Sequence, residues 1–358
     1  MNRKKLKRNK NIVKYFILVC FVLLFCSCSK KDSQVKKNIS QTQQIQLKAS
    51  PKINIGFSID TLAIERWLRD CDVFLNTAKE LGAEVIVQNS GNSIEEQNRQ
   101  IRYLIQKKVD VLVIVAKKAD SLTDSIHEAV VAGIPIISYD RLILNADISM
   151  YMTVDTERVG ELICEELIKK KPTGTYFAIY GPQEDYNMYL MKEGNNKVLQ
   201  NLPIKIALTY YTDGWNYDLS YQKMADELQK GNIPDAVICG NDAVADSVIR
   251  ALSEFCPGCD IAVGGQDADI AACQNILEGK QLVTVYKPIN DLARMAAEFA
   301  VRIAKGEDPV DIVGSSATIN NGYRDVPVFW LEPKAVTKDN IDEIIIDSGF
   351  HTRGEIYR

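Results

Sequence analysis

Strand-like apolar runs alternate with amphipathic helical patterns through most of this 358-residue chain, and this alternation restricts the fold more than any other feature. Near-continuous apolar runs such as 109–115 (VDVLVIV) are typical of parallel strands that are buried on both faces. The pattern runs through about residue 150 and restarts at 175–180 (TYFAIY). Two successive βαβ sets predict an α/β protein with two similar Rossmann-like lobes, each built on a parallel sheet.

Five of the predicted strands end in a short polar cluster. The runs are 53–60 (INIGFSID), 134–141 (IPIISYDR), 236–242 (AVICGND), 261–267 (IAVGGQD) and 283–287 (VTVYK). Side chains at the carboxyl ends of parallel strands converge on one crevice in an open α/β sheet. These clusters therefore outline a polar binding site that carries charges of both signs.

The first 28 residues have the organisation of a bacterial export signal. The basic stretch 1–11 precedes the apolar run 12–28, which ends in Ser27 and Cys28. We favour a lipoprotein signal in which Cys28 becomes the lipidated first residue; Cys26 and Cys20 are weaker candidates, and an uncleaved membrane anchor is the alternative. Residues 29–50 are rich in Lys, Gln and Ser and are predicted to form a flexible tether. The protein is therefore predicted to be exported, anchored in the cell envelope by lipid, and exposed to the periplasm.

Removal of the predicted signal leaves an acidic domain. The whole chain has 43 Lys and Arg against 47 Asp and Glu, and the seven basic residues before Cys28 face no acids. The remaining chain carries a formal net charge of −11. Because an acidic surface repels phosphates, we expect no nucleic acid as partner.

The strand-end clusters contain the groups that a sugar site needs. A sugar has hydroxyls that donate and accept hydrogen bonds as well as patches of C–H surface, so its site combines polar groups around the ring with aromatic faces above and below it. Two of the three tryptophans lie beside the clusters. The candidate ligand-binding residues are Arg66, Trp67, Asp140, Arg141, Asn187, Trp215, Asn241, Asp267 and Lys287.

Each candidate also has a structural interpretation. The Asp140-Arg141 dipeptide is compatible with an ion pair that ties a loop, Asn241 with a helix cap, and Lys287 with a solvated loop end. Trp67 falls on a helical apolar stripe, which is typical of the core, and Trp215 is placed to cover a turn. Their joint occurrence at equivalent strand ends favours a binding site.

Several short motifs, in order along the chain, show a resemblance to a known family. They include IERW at 64–67, YDR at 139–141, DGW at 213–215, NDA at 241–243, GQDAD at 265–269, TVYKP at 284–288 and NNG at 320–322. From about Lys52 to the end, the chain resembles the D-xylose-binding proteins of bacterial sugar ABC transporters, which are type I periplasmic binding proteins. The resemblance implies two Rossmann-like lobes joined by a three-segment hinge and closing on one monosaccharide.

The resemblance also assigns roles to the candidate residues. It implies that Trp67 and Trp215 sandwich the sugar, while the hydrogen bonds come from Arg66, Asp140, Arg141, Asn187, Asn241, Asp267 and Lys287. One departure is Tyr186, where the family tends to have a smaller amide. A phenol at this position either narrows the pocket or points outward.

The predicted N-terminal lobe comprises 51–155 and about 289–317, and the predicted C-terminal lobe comprises 156–288 and about 318–358. The predicted function is to bind a monosaccharide, with D-xylose favoured, and to deliver it to a membrane ABC permease. One alternative is a lipid-anchored sugar sensor that signals to a membrane histidine kinase, and another is binding of a different sugar or polyol. We expect a monomer that uses neither a cofactor nor a metal.

Catalysis is not indicated by the sequence. The chain has two histidines, His127 and His351, and neither lies in a strand-end cluster. The sequence contains neither a Gly-x-Ser-x-Gly elbow nor a phosphate-binding glycine loop. Paired acids such as Asp267 and Asp269 support glycoside hydrolysis in principle, but their surroundings fit a loop better. We therefore predict a binding protein and not an enzyme.

The cysteines are predicted to have structural roles. Cys256 and Cys259 lie in a short link between a helix and a strand, and in an oxidising compartment we expect them to form a small disulfide. The remaining cysteines of the domain fall within apolar periodicities and are predicted to be buried: Cys71, Cys164, Cys239 and Cys273.

Overall fold

The computed structural model describes residues 52–314 and 316–357. The predicted signal, the lipidation site Cys28 and the predicted tether lie outside these residues. These residues form one compact unit. In the part of the chain that is described, no helix is both long enough and apolar enough to cross a membrane.

Alternating strands and helices in the first half of the chain build one parallel sheet. The elements are β1 (Asn54–Ile59), α1 (Glu65–Glu80), β2 (Glu84–Asn89), α2 (Ile94–Gln106), β3 (Val111–Ile114), α3 (Thr123–Val131), β4 (Ile136–Tyr139) and β5 (Met150–Val154). The strands lie in the order β2-β1-β3-β4-β5. Helix α1 covers one face, and α2 and α3 cover the other. Because both faces are covered, β3, β4 and β5 are buried along their whole length.

The second half repeats this arrangement. Its elements are α4 (Thr156–Lys170), β6 (Gly174–Tyr180), α5 (Tyr186–Leu199), β7 (Ile204–Tyr211), α6 (Tyr217–Gln229), β8 (Ala236–Cys239), α7 (Asp242–Phe255), β9 (Ala262–Gln266), α8 (Ile270–Leu277) and β10 (Val283–Tyr286). The parallel strands lie in the equivalent order β7-β6-β8-β9-β10. Helices α4 and α5 pack on one face of this sheet, and α6 and α7 pack on the other. The two predicted Rossmann-like lobes are therefore confirmed.

The last part of the chain contributes to both lobes. Its elements are α9 (Ile289–Ala304), α10 (Pro309–Val313), β11 (Thr318–Asn320), β12 (Asp325–Leu331), β13 (Lys334–Val336) and α11 (Arg353–Ile356). Helix α9 packs against α1 in the first lobe. Strand β12 lies parallel to β5, and β11 pairs antiparallel with β12. Strand β13 pairs antiparallel with β10 in the second lobe. The chain thus crosses between the lobes three times, after β5, after β10 and after β12.

The third crossing between the lobes lies between β12 and β13, and not near residue 317 as the sequence predicted. Residues 318–331 lie in the first sheet, where Val328 is in register with Tyr151, and they are not part of the second lobe. Without β12, the outer edge of β5 would leave its backbone hydrogen-bonding groups unpaired. Val326 and Val328 are buried in the apolar cluster under α2 and α3, so packing and pairing place this segment in the first lobe.

The cysteines of the domain follow the predicted arrangement. Cys256 and Cys259 form a disulfide, with their Cα atoms 5.6 Å apart. The four thiols of the described residues, Cys71, Cys164, Cys239 and Cys273, are all buried.

Candidate functional site

The carboxyl ends of the strands from both lobes border a cavity of about 320 Å³, counting its open mouth. The structure brings all nine predicted ligand-binding residues to its walls: Arg66, Trp67, Asp140, Arg141, Asn187, Trp215, Asn241, Asp267 and Lys287. Four further residues line it that were not predicted from the sequence, namely Ile64, Asp185, Met188 and Gln266. The convergence of strand ends thus places residues far apart in sequence around one small volume.

The first lobe supplies two guanidinium groups that are fixed by carboxylates. Arg66, at the start of α1, donates from Nη2 to Asp140 Oδ1 at 2.5 Å. Arg141, just after β4, donates from Nη1 to Asp60 Oδ2 at 2.5 Å. Both guanidinium groups lie over the ring of Trp67, at 4.4 and 5.4 Å from its centroid. Trp67 is therefore part of the core, as its helical spacing suggested, and part of the cavity wall at the same time.

The Asp140 carboxylate accepts hydrogen bonds from residues of both lobes. Its Oδ2 accepts a hydrogen bond from Nδ2 of Asn187, across the cavity, at 3.0 Å. Burial alone would raise the pKa of Asp140, but the nearby cations, Arg66 above all, lower it below its ordinary value. The carboxylate is therefore ionised at neutral pH and accepts hydrogen bonds from both lobes.

The second lobe supplies a comparable set of polar groups. Lys287 Nζ lies 2.6 Å from Asp267 Oδ1, and the lysine is 5 % exposed, so it is not a solvated loop end. Gln266 donates from Nε2 to the carbonyl oxygen of Gly240 at 2.6 Å. Asn241 Oδ1 accepts from the backbone N–H of Val244 at 2.9 Å, which makes Asn241 the cap of α7 as well as a cavity residue.

Trp215 supplies an aromatic face in the second lobe. It ends the short turn Asp213–Trp215 and packs, half-buried, against the apolar clusters on both faces of the second sheet. Its indole ring lies directly on Gly181, where any Cβ would overlap ring atoms. The residue at 181 must therefore be glycine for the ring to occupy this position. Trp215 covers a turn, as its structural interpretation suggested, and also lines the cavity.

Three cavity residues have positive backbone φ angles, which residues other than glycine rarely adopt. The φ angles are 62° at Asp140, 103° at Asp267 and 56° at Trp215. Each such residue costs about 1–3 kcal/mol and persists where its surroundings hold it. The carbonyl oxygen of Asp140 accepts hydrogen bonds from Tyr151 Oη and Thr153 Oγ1, both at 3.0 Å. These bonds hold the strained backbone and keep the carboxylate in place.

Some buried hydrogen-bond donors and acceptors of the cavity residues have no hydrogen-bond partner among the residues that the structure describes. The donors include Trp67 Nε1 and Arg141 Nε, and the acceptors include Asn187 Oδ1 and Gln266 Oε1. A buried polar group left without a partner costs about 1–3 kcal/mol. A molecule that both donates and accepts hydrogen bonds would compensate these groups.

Several contacts in the site were not predicted from the sequence. Asp60 ends the INIGFSID run and fixes Arg141, but no sequence pattern distinguishes Asp60 from its neighbours. Asp185 caps α5 through the backbone N–H of Asn187, and it also pairs with Arg141 Nη2 across the cavity at 2.7 Å. An aspartate just before a helix predicts an N-cap. No local sequence pattern predicts its ion pair with a residue of the other lobe.

Tyr186 points away from the cavity. Its ring is half-buried and packs against the apolar cluster under α2 and α3 of the first lobe. It also contacts the ring of Tyr189, with 5.6 Å between the two centroids. Of the two expectations for this phenol, the structure shows the outward orientation, so Tyr186 does not narrow the pocket.

Asp70 lies behind the site, one helical turn after Arg66. Its Oδ2 is 3.4 Å from Arg66 Nε, and both side chains are buried. Burial raises the pKa of Asp70 from 3.8 to about 7; Arg66 opposes the rise, and the Asp140 carboxylate adds to it. Asp70 is therefore a buried carboxyl that gains its proton close to neutral pH.

We expect Asp70 to make folding stability depend on pH. Because its pKa is higher in the folded chain than in the unfolded chain, its stabilising contribution is present at low pH and is lost as the pH rises through about 7. The free energy of unfolding of wild type should therefore fall between pH 5 and pH 8 by on the order of 2 kcal/mol more than that of Asp70→Asn. Urea unfolding at both pH values measures this difference. Asp72→Asn, at an exposed position of the same helix, is the control, and equal pH dependence in wild type and Asp70→Asn would contradict the expectation.

The fold and the site together define a two-lobed α/β binding protein whose ligand site lies between the lobes. Residues 55–308 match the periplasmic binding protein domain, and the chain belongs to that family. Because this family consists of binding proteins, the chain is a binding protein and not an enzyme. Two similar proteins are the D-xylose-binding periplasmic proteins of Haemophilus influenzae, 42% identical over 86% of this chain and 93% of that protein, and of Escherichia coli, 40% identical over 85% and 93%.

Solved structures show the same architecture. One similar structure is an ABC transporter solute binding protein from Clostridium phytofermentans with bound β-D-glucose. It has a TM-score of 0.77 and 30% sequence identity, and the match covers 85% of this chain and 99% of that one. The type I periplasmic binding fold expected from the sequence is therefore confirmed.

Proposed function

We propose that this protein binds one monosaccharide between its lobes, with D-xylose as the preferred sugar, and delivers it to a membrane ABC permease. The observation that carries the proposal is the cavity itself, where unpaired donors and acceptors from both lobes lie beside two tryptophans. The D-xylose-binding relatives support the choice of sugar, since they match almost the whole domain.

The charge balance of the cavity favours a neutral ligand. Three cations line it, Arg66, Arg141 and Lys287, and three acids, Asp140, Asp185 and Asp267. Each cation is already paired with a carboxylate. A phosphorylated or acidic sugar would bring a charge that has no free partner among these groups. Hydroxyl groups can instead accept from the guanidinium and ammonium groups and donate to the carboxylates.

The mechanism follows from the division of the site between the lobes. Arg66, Trp67 and Arg141 lie on the first lobe, and Trp215 and Asp267 lie on the second. A sugar contacts both sets only when the lobes are together, so its binding shifts the population toward the closed form. A permease that recognises the closed form then receives the protein only when it is loaded.

A thermal-shift screen of the full chain tests the proposed sugar. The panel contains D-xylose, other pentoses, hexoses and inositols. A ligand that binds only the folded state stabilises it by about 2.7 kcal/mol at one hundred times its dissociation constant, so we expect the largest rise in Tm with D-xylose. A larger rise with another sugar would replace D-xylose as the ligand. No rise with any member of the panel would contradict sugar binding.

We further propose that the protein is a monomer held at the membrane by lipid on Cys28. Cys28→Ala should abolish labelling by radioactive palmitate and move the protein from the membrane fraction to the soluble fraction. Cys26→Ala is the matched control and should remain labelled and membrane-bound. Unchanged labelling of Cys28→Ala would contradict this site. A wild-type protein that is unlabelled but still in the membrane would indicate an uncleaved anchor.

A further inference from the structure

Four consecutive residues, 184–187, connect the second lobe to the first at the start of α5. These residues are Glu184, Asp185, Tyr186 and Asn187. Each of the four has a contact with the first lobe. Asp185 and Asn187 line the cavity, whereas Glu184 and Tyr186 are not among the residues that form its walls.

The polar contact of Glu184 lies outside the cavity. Its Oε1 is 2.9 Å from Nζ of Lys117, a residue that follows β3 in the first lobe. Lys117 is 7 % exposed, so its charge is poorly solvated without a partner. Burial alone would raise the pKa of Glu184, but Lys117 lowers it, which keeps the carboxylate ionised for the pair.

The contact of Tyr186 is apolar. Its ring packs against the cluster of the first lobe that contains Leu142, Ile143 and Tyr151. This contact and the Lys117–Glu184 pair both join atoms of different lobes, so both are lost when the lobes separate. They therefore favour the closed form whatever molecule lies in the cavity.

We propose that Glu184 and Tyr186 are positioning residues that set sugar affinity by holding the lobes closed, without touching the sugar. The inference rests on the proposed function. Removing either contact makes closure less favourable by a fixed amount, so the dissociation constants of all sugars increase by the same factor. Because the lost contacts exist only in the closed form, the change should appear mainly as faster dissociation.

The test compares Glu184→Gln and Tyr186→Ala with wild type in the full chain. Calorimetry gives the dissociation constants of D-xylose and of a weaker second sugar, and stopped-flow tryptophan fluorescence gives the dissociation rates. We expect the dissociation constant to rise about fivefold in Glu184→Gln and about tenfold in Tyr186→Ala. The ratio of the constants for the two sugars should stay at its wild-type value. Lys117→Gln should add little to the effect of Glu184→Gln, since both changes remove one ion pair.

Two matched controls separate closure from general effects on the protein. Asp260→Asn removes a lysine–carboxylate pair of 2.8 Å with Lys171, and this pair lies within the second lobe. Tyr323→Ala removes a tyrosine that is 62 % exposed on the first lobe. Neither change should alter the dissociation constant.

The outcomes distinguish the inference from the proposed function. Wild-type affinity in both Glu184→Gln and Tyr186→Ala would overturn the inference and leave sugar binding intact. A changed ratio between the two sugars would mean that these residues contact the ligand, which also overturns it. If Tyr186→Ala fails to fold, Glu184→Gln still decides the question. A wild-type chain that binds no sugar would overturn the proposed function and the inference together.

Discussion

Alanine in place of Trp215 should weaken sugar binding by about 100-fold or more while the fold survives. The indole ring is the aromatic face that the second lobe presents to the cavity, and truncation of such central aromatic residues costs about 2–4 kcal/mol of binding free energy. The ring is half-buried and sits at a turn, so its loss should leave both sheets in place. Calorimetry with D-xylose measures the effect.

Trp330 provides the matched control for this prediction. It lies on β12 of the first lobe, is 46 % exposed, and is not among the residues lining the cavity. Trp330→Ala should bind D-xylose like wild type. Near-native affinity in Trp215→Ala would contradict the role assigned to its ring, whatever the result for Trp330.

Asp140→Ala should both abolish sugar binding and destabilise the protein by about 3–5 kcal/mol. The Asp140 carboxylate accepts from Arg66 at 2.5 Å and from Asn187 at 3.0 Å, and all three side chains are buried. Alanine leaves the Arg66 guanidinium without its closest partner in a poorly solvated site. Unfolding in urea gives the loss of stability, and calorimetry gives the loss of binding.

Two further variants sharpen this second prediction. Asp140→Asn keeps an acceptor oxygen but removes the charge, so its stability should lie between those of wild type and Asp140→Ala. Asp147→Ala removes an exposed carboxylate that pairs with Arg324 at 3.2 Å, and it should change the free energy of unfolding by less than about 1 kcal/mol. Equal stability of Asp140→Ala and Asp147→Ala would contradict the stabilising role assigned to the buried Asp140–Arg66 pair.

The sequence predicted the strands and the walls of the cavity because both depend on local patterns. Buried parallel strands are near-continuous apolar runs, and the polar residues that end them must meet when the strands are parallel. The predicted run 175–180 and the observed strand Gly174–Tyr180 differ by one residue.

Contacts between distant segments could not be predicted in the same way. The placement of 318–331 depends on which free sheet edge β12 joins, and nothing in its own residues specifies β5. The pairing of Arg141 with Asp185 requires the two lobes to be together. Asn241 has both of the roles considered for it, since its side-chain Oδ1 caps α7 and the residue also lines the cavity.

Isothermal titration calorimetry of the full chain with D-xylose tests the central proposal most directly. We expect saturable heat with one sugar bound per chain, because one cavity is shared by the two half-sites. We also expect Trp215→Ala and Asp140→Ala to lose this heat, although they change residues on opposite lobes. Absence of saturable heat with D-xylose would contradict D-xylose as the ligand, and loss of binding with changes to one lobe alone would contradict a sugar held between the lobes.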